Sequence, residues 1–237
     1  MKISLNKFRY AALACFLCLL TGCQQDEIMQ QNQQRENTAT VGSVASRSVT
    51  CEVTTTEAGT LMAKLDEIAS SGGYSKEDIT DLTISGPVNR EDLRALRPFK
   101  YITKLDMKNM SIVDDWGNIQ YDFPDALDSL ASPAHVYLPE NLATINGQAF
   151  RESNIVAVEM SDNITSIGGY AFDNCKNLHT VKLSNNIEEL WYGAFENCTS
   201  LTTINTPEKL KNIHGAVFNG CAFSSFTIPE SVEFMEW

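Results

Sequence analysis

Residues 155–178 read IVAVEMSDNITSIGGYAFDNCKNL and residues 178–201 read LHTVKLSNNIEELWYGAFENCTSL. Laid over one another, the two stretches place Val158 on Val181, Ile164 on Ile187, Ile167 on Leu190, Phe172 on Phe195 and Cys175 on Cys198. Working outward, Leu82, Leu105, Val136, Val158, Val181, Ile204 and Phe226 occupy equivalent places, at successive intervals of 23, 31, 22, 23, 23 and 22 residues. One interval alone departs from the period. Self-similarity at a fixed period of this length is the signature of stacked repeats, each of which buries its apolar face only against the next.

Around each rung lies an L-x-x-L-x-L pattern: Ile79/Leu82/Ile84, Ile102/Leu105/Met107, Ile155/Val158/Met160, Leu178/Val181/Leu183 and Phe223/Phe226/Ile228. The rung and the residue two further on alternate as a strand with one buried face. Pro133 and Thr206 are single lapses from that rule. The expected fold class is therefore α/β: a leucine-rich-repeat solenoid of stacked parallel β-strands with a short helical N-terminal cap.

A second spacing follows each strand. Pro139 to Phe150, Ser161 to Phe172, Ser184 to Phe195 and Pro207 to Phe218 each span 11 positions. Within them Leu142/Ile145, Ile164/Ile167, Ile187/Leu190 and Leu210/Ile213 are three apart, which predicts a second short inward-facing strand. The four Phe then form an aromatic column, with Leu127 as its degenerate first member. At about 150–250 Å² per ring and roughly 25 cal/mol/Å², the column supplies on the order of 15–25 kcal/mol of gross apolar burial, an upper bound.

From Pro139 to Glu236 the Ile-x-x-Ile-x-x-x-Ala-Phe and Asn-Cys-x-x-Leu-x-x-Ile steps resemble the BspA-type leucine-rich-repeat family, best at Asp173-Asn174-Cys175-Lys176-Asn177-Leu178 and Glu196-Asn197-Cys198-Thr199-Ser200-Leu201. Residues 79–138 share the likeness more loosely. The resemblance implies a secreted or surface-anchored protein that adheres to extracellular matrix or to partner cells, with no catalytic activity and no cofactor.

Lys2, Lys7 and Arg9 precede an apolar run from Tyr10 to Leu20, too short to span a bilayer. Leu20-Thr21-Gly22-Cys23 then resembles a bacterial lipoprotein box, with Cys23 as the lipidated first mature residue. Gln24-Gln25-Asp26-Glu27 is similar to the acidic signal that exports lipoproteins to the outer leaflet of the outer membrane. The expected address is thus the outer membrane, lipid-anchored and surface-exposed, touching membrane only through the lipid. The chain carries −12; loss of residues 1–22 removes three cations and no acid, leaving −15, so nucleic acid and anionic membrane are poor partners.

These readings divide the chain into a signal peptide (1–22), a Gln- and Ser-rich tether (23–50), a cap with the first repeat strand (51–100) and the solenoid (101–237). In the cap, Leu61, Leu65 and Ile68 mark a helix that Gly72-Gly73 ends, and Asn89 caps a second helix that Pro98 stops. The cap shields the first rung at Leu82. The interval of 31 holds an insert, Val113 to Ala131, with Trp116, Tyr121 and Phe123. At the other end Phe234 and Trp237 improvise a cap, or the array is an incomplete copy.

Cys175, Cys198 and Cys221 recur at 23 and form a ladder of buried thiols; parallel side chains one turn apart seldom have a disulfide's dihedral. No His shares the column, and no metal is expected there. His135, His179 and His214 fall at unrelated points of the repeat, with no nucleophile elbow, zinc motif or phosphate loop. Asp114, Asp115, Asp122, Asp125 and Asp128 lack a calcium loop's spacing and read as a solvated insert.

Two surfaces then compete to bind an extracellular protein or glycan. Outward strand positions carry His179, Thr180, Lys182, Thr202, Thr203, Asn205, Ser224, Ser225 and Thr227, a hydroxyl-rich face. The corner before each Phe carries Tyr170, Trp191, Tyr192 and His214, joined by Trp237, where other repeats have Asn146, Gly147, Gly168, Gly169 and Gly215. Large rings there depart from the repeat, and exposed aromatics favour ligand contact.

Overall fold

A computed structural model describes residues 48–223 and 225–236. They form two parallel sheets on opposite sides of one apolar core. The chain runs β1 (Thr50–Thr54), α1 (Leu61–Gly72), β2 (Asp81–Val88), α2 (Arg90–Arg94), β3 (Lys104–Asp106), β4 (Met110–Val113), β5 (Ile119–Gln120) and β6 (Asp122–Phe123). It continues through β7 (His135–Tyr137), β8 (Thr144–Ile145), β9 (Ala157–Glu159), β10 (Ser166–Ile167), β11 (Thr180–Lys182), β12 (Glu189–Leu190), β13 (Thr203–Ile204), β14 (Asn212–Ile213) and β15 (Phe234–Met235). The first sheet orders β1-β2-β3-β7-β9-β11-β13, with β4 parallel to the end of β2 and β5 antiparallel to β4, and the second β6-β8-β10-β12-β14-β15.

The rungs pair in register across the first sheet: Leu82, Leu105, Val136, Val158, Val181 and Ile204 are successive partners. All but Ile204 are buried. The interval of 31 residues is absorbed without a slip, because Leu105 still faces Val136.

Two sequence expectations at the ends change. Leu82 is not the first rung: β1 lies parallel to β2 with Cys51 opposite Leu82 and Val53 opposite Ile84, so Cys51 and Val53 add a turn ahead of it. No 23-residue period could reveal this rung, since α1 and its loops lie between the two strands. At the far end Phe226 belongs to no strand, and the first sheet stops at β13. There the Asn205 amide stands in for a strand, accepting from Leu183 N (2.7 Å) and donating to Leu183 O (3.0 Å). Phe226 instead packs its ring 4.8 Å from Phe218 and 6.3 Å from Phe223.

In the cap, Gly73 closes α1 in the left-handed conformation, and Leu61, Leu65 and Ala69 face the core. Asn89 caps α2 through a reciprocal pair with Asp92, Asp92 N to Asn89 Oδ1 at 2.9 Å and Asn89 N to Asp92 Oδ2 at 3.1 Å. The same buried carboxylate accepts Gly59 N and Leu61 N, tying the entrance of α1 to that of α2.

Each corner after the second strand makes two left-handed turns. Gln148, Tyr170, Gly193 and Ala216 form one file at φ +62°, +58°, +59° and +57°; Glu152, Asn174, Asn197 and Gly220 form the other. Asn and Gly tolerate that conformation best, which explains the Asn of each Asn-Cys step. Between the two files lies the aromatic column: Phe150, Phe172 and Phe195 stack at 5.1 Å and nearly parallel, and Phe218 follows at 5.9 Å. At its other end Leu127 keeps the expected backbone place, donating N–H to Ala149 O as Phe150 does to Ala171 O. The ring that closes the stack is Phe123, 5.0 Å from Phe150.

The thiol ladder adds a second donor to carbonyls that already accept a backbone N–H. Cys175, Cys198 and Cys221 donate to the carbonyls of Phe150, Phe172 and Phe195 one turn below, at 3.0–3.1 Å. Ser153 occupies the same corner one turn earlier, with its hydroxyl 3.3 Å from Cys175 Sγ. Burial pushes the Cys175 thiol up to about 12, while the neighbouring Cys221 thiol and then burial raise Cys198. Cys221, half-buried, is lowered by its Cys198 neighbour.

Two measurements test this packing. Phe172→Ala should cost about 3–5 kcal/mol in urea unfolding, and Phe218→Ala less, because Phe218 is only partly buried at the end of the file. Thiol labelling of the folded chain at pH 8 should modify Cys221 first, with Cys175 and Cys198 protected until denaturant opens the solenoid.

Candidate recognition surface

The outer face of the first sheet is a mosaic. One register file reads Asp81, Lys104, His135, Ala157, Thr180 and Thr203; the next reads Thr83, Asp106, Tyr137, Glu159 and Lys182. Thr180 and Thr203 lie side by side and exposed, with His179 and Thr202 just before their strands, as expected. Ser225, although exposed, is not on the sheet, because the strand expected around Phe226 does not form. Ser224 lies outside the described residues. The face is also less purely hydroxylic than its sequence suggested: Lys182 pairs with Glu159 at 3.1 Å and Lys104 with Asp106 at 3.5 Å.

One cluster on this face escaped the sequence reading. His135 and Tyr137, two apart on β7, stack at 4.4 Å and 17°, with Lys108 Nζ 4.6 Å above the Tyr137 ring. The signal was the alternation of two rings about an inward Val136, a pair that occurs in this repeat and not in its neighbours.

The corner of the second sheet gathers the larger rings. Asn146, Gly168, Trp191 and His214 each follow a strand and donate N–H to the turn before, to Phe123, Ile145, Ile167 and Leu190 carbonyls, so they stand in file. At Gly168 the file is tight: a Cβ there would sit 2.6 Å from Gly147 N. One turn on, the indole of Trp191 points outward, 43% exposed, with Nε1–H donating to Ser166 Oγ at 3.1 Å. It lies parallel to His214 at 4.4 Å and 5°, and Phe234 leans on His214 at 5.5 Å. The expected companion Trp237 lies outside the described residues.

Beside this pair, Tyr170 meets the exposed Tyr192 edge-on at 5.5 Å. Tyr170 crosses the space left by Gly193, where a Cβ would come within 2.7 Å of its ring. Its φ of +58° belongs to the left-handed file it shares with Gln148, Gly193 and Ala216. A bulky side chain in that region costs roughly 1–2 kcal/mol, which Gly193 avoids one turn later.

The acids of the insert separate by role. Asp114 closes the turn between β4 and β5, accepting Trp116 N at 3.0 Å and Asn118 N at 2.8 Å; hydrogen bonds from Asn118 above all hold its carboxyl below the usual range. Asp125 pairs with Arg90, and Asp128 with Arg97. No helix among the described residues is long and apolar enough to cross a membrane.

The profile of the BspA type leucine rich repeat region matches residues 126–236 in six copies. The repeats are of the BspA type. Three solved structures are similar at low identity. A T. pallidum leucine rich repeat protein shares 18% identity at a TM-score of 0.44, over 77% of this chain and 65% of that one. A leucine rich cell surface protein of Faecalibacterium prausnitzii shares 18% at a TM-score of 0.36, over 64% and 38%. A leucine-rich repeat protein of Eubacterium ventriosum shares 12% at a TM-score of 0.23, over 67% and 82%. The chain thus spans less than two thirds of the first two. No curated protein matches it.

The matched BspA repeats begin at Ala126, so they contain the aromatic corner, the thiol ladder and β7 through β15. They exclude β1, α1, β2, α2 and the β4–β5 hairpin.

Proposed function

We propose that this chain is a surface-displayed recognition protein whose BspA-type solenoid captures an extracellular protein at the corner formed by Tyr170, Trp191, Tyr192 and His214. One observation carries the reading: Trp191 and Tyr192 are 43% and 48% exposed at places where the neighbouring turns carry Asn146, Gly147, Gly168 and Gly169. Rigid, half-exposed aromatic rings are the residues that dominate binding energy at protein interfaces.

Display follows from the sequence of the first residues. The Leu20-Thr21-Gly22-Cys23 box supports lipidation at Cys23, and the following Gln24-Gln25-Asp26-Glu27 supports passage to the outer face of the outer membrane, with the residues between Cys23 and β1 as the tether. Residues 1–47 lie outside the described ones. A non-catalytic role is part of the same proposal.

Capture of a glycan for uptake by a neighbouring transporter is a second reading, favoured by the parallel Trp191–His214 pair. Only that pair is parallel; Tyr170–Tyr192 is edge-on, so the corner is not a flat platform. The protein reading is therefore preferred.

Protease added to intact cells should remove the protein; full protection would reject surface display. Soluble 24–237 chain carrying Trp191→Ala and Tyr192→Ala should lose binding on an array of extracellular proteins and glycans by tenfold or more, with unchanged thermal unfolding. Binding that survives the double substitution excludes the corner, and binding confined to glycan spots favours the second reading.

A further inference from the structure

The β4–β5 hairpin grows out of the first sheet. Leu105 and Val136 pair in register across an interval of 31 residues, and within that interval β4 pairs in parallel with the end of β2 while β5 turns back antiparallel to β4. The hairpin is well ordered at its tip. Asp114 accepts from Trp116 N, Asn118 N, Asn118 Nδ2 and Gln120 Nε2, Asp114 N donates to Asn118 O at 3.0 Å, and Gly117 turns at φ +83°. This network holds the Trp116 indole 86% exposed.

Under the hairpin lies a cleft of about 270 Å³. Ile112, Val113 and Pro124 form its apolar wall, and Trp116, Asp115 and Asp122 stand round its mouth. The Asp114 carboxylate is spent on the turn. Asp115 and Asp122, both exposed, make no hydrogen bond or ion pair among the described residues, and the lining cation Arg90 is already engaged by Asp125.

We infer that this cleft receives a cationic side chain, arginine or lysine, from a partner protein. The inference rests on the reading of the molecule as a protein-binding solenoid but not on the Trp191 corner. Three features converge on that ligand. The open indole face attracts a guanidinium or ammonium group. The apolar wall suits the methylene stem of a long side chain, which a bare metal ion would leave uncovered. The two carboxylates would lose water beneath a neutral sugar without gaining a counter-charge, whereas a cation compensates them. The chain's net charge of −12 draws a basic partner toward the same site.

The test uses the soluble 24–237 chain and isolated probes, so it needs no macromolecular partner. Nα-acetyl-arginine amide, Nα-acetyl-lysine amide, Nα-acetyl-glutamate amide and glucose are titrated while the Trp116 indole N–H resonance is followed by NMR. The arginine and lysine probes should shift it in the millimolar range; glutamate and glucose should not. Trp116→Ala removes the resonance, so Asp115→Asn with Asp122→Asn carries the argument. That double variant should bind the arginine probe about two- to fivefold more weakly and lose the salt dependence of the wild type. Both carboxylates are exposed and unpartnered, so unfolding is not expected, and an unchanged melt verifies this. Trp191→Ala with Tyr192→Ala should leave the response intact, which separates the cleft from the corner. A Trp116 shift with glucose but not arginine, no shift with any probe, or an arginine affinity indifferent to both Asp substitutions would overturn the inference.

Discussion

Everything in this molecule is subordinate to the hydrogen bonds that pass from one turn to the next. Parallel strands about 4.8 Å apart force equivalent residues into file, so each side chain's nearest neighbour is its own counterpart one repeat away. Phe150, Phe172 and Phe195 can stack at 5.1 Å only because Ala171, Ala194 and their counterparts accept the Phe N–H from the turn below. The left-handed files at 148–216 and 152–220 bend the backbone so that this handover continues at the corner. The thiols then add a second, weak donor to the Phe150, Phe172 and Phe195 carbonyls, each of which already accepts the backbone N–H three residues on.

That dependence explains what the sequence revealed. Rungs, second strands and the Phe column were readable because each repeats, and a periodic contact leaves a periodic trace. Cys51 and Val53 were missed because their strand occurs once, separated from Leu82 by α1. Phe226 misled for the opposite reason: it keeps the interval, yet Asn205 closes the sheet edge with its side-chain amide before another strand can pair. Phe123 was hidden because its ring, not its backbone position, completes the column.

The candidate surfaces were legible only as departures. Trp191 and Tyr192 stood out against Gly168 and Gly169, and the structure places Trp191 against His214 and Tyr170 against Tyr192. The His135–Tyr137 stack was not legible, since outward positions vary freely and a single pair makes no pattern. For the hairpin, sequence gave a break in spacing and an acidic composition. Which carboxylate is structural and which two stand without partners depends on the turn at Asp114, and that is a matter of geometry alone.

One mechanical consequence follows from β1. It is joined to a single neighbouring strand through five residue pairs, Thr50 to Thr54 against Asp81 to Ser85, and the chain before it enters at Ser48. A pull transmitted through that entry along the stacking axis opens the five pairs in succession, like a zip. The same pull directed along the strand must shear all five together, so the molecule's resistance to traction depends on the angle at which it is drawn.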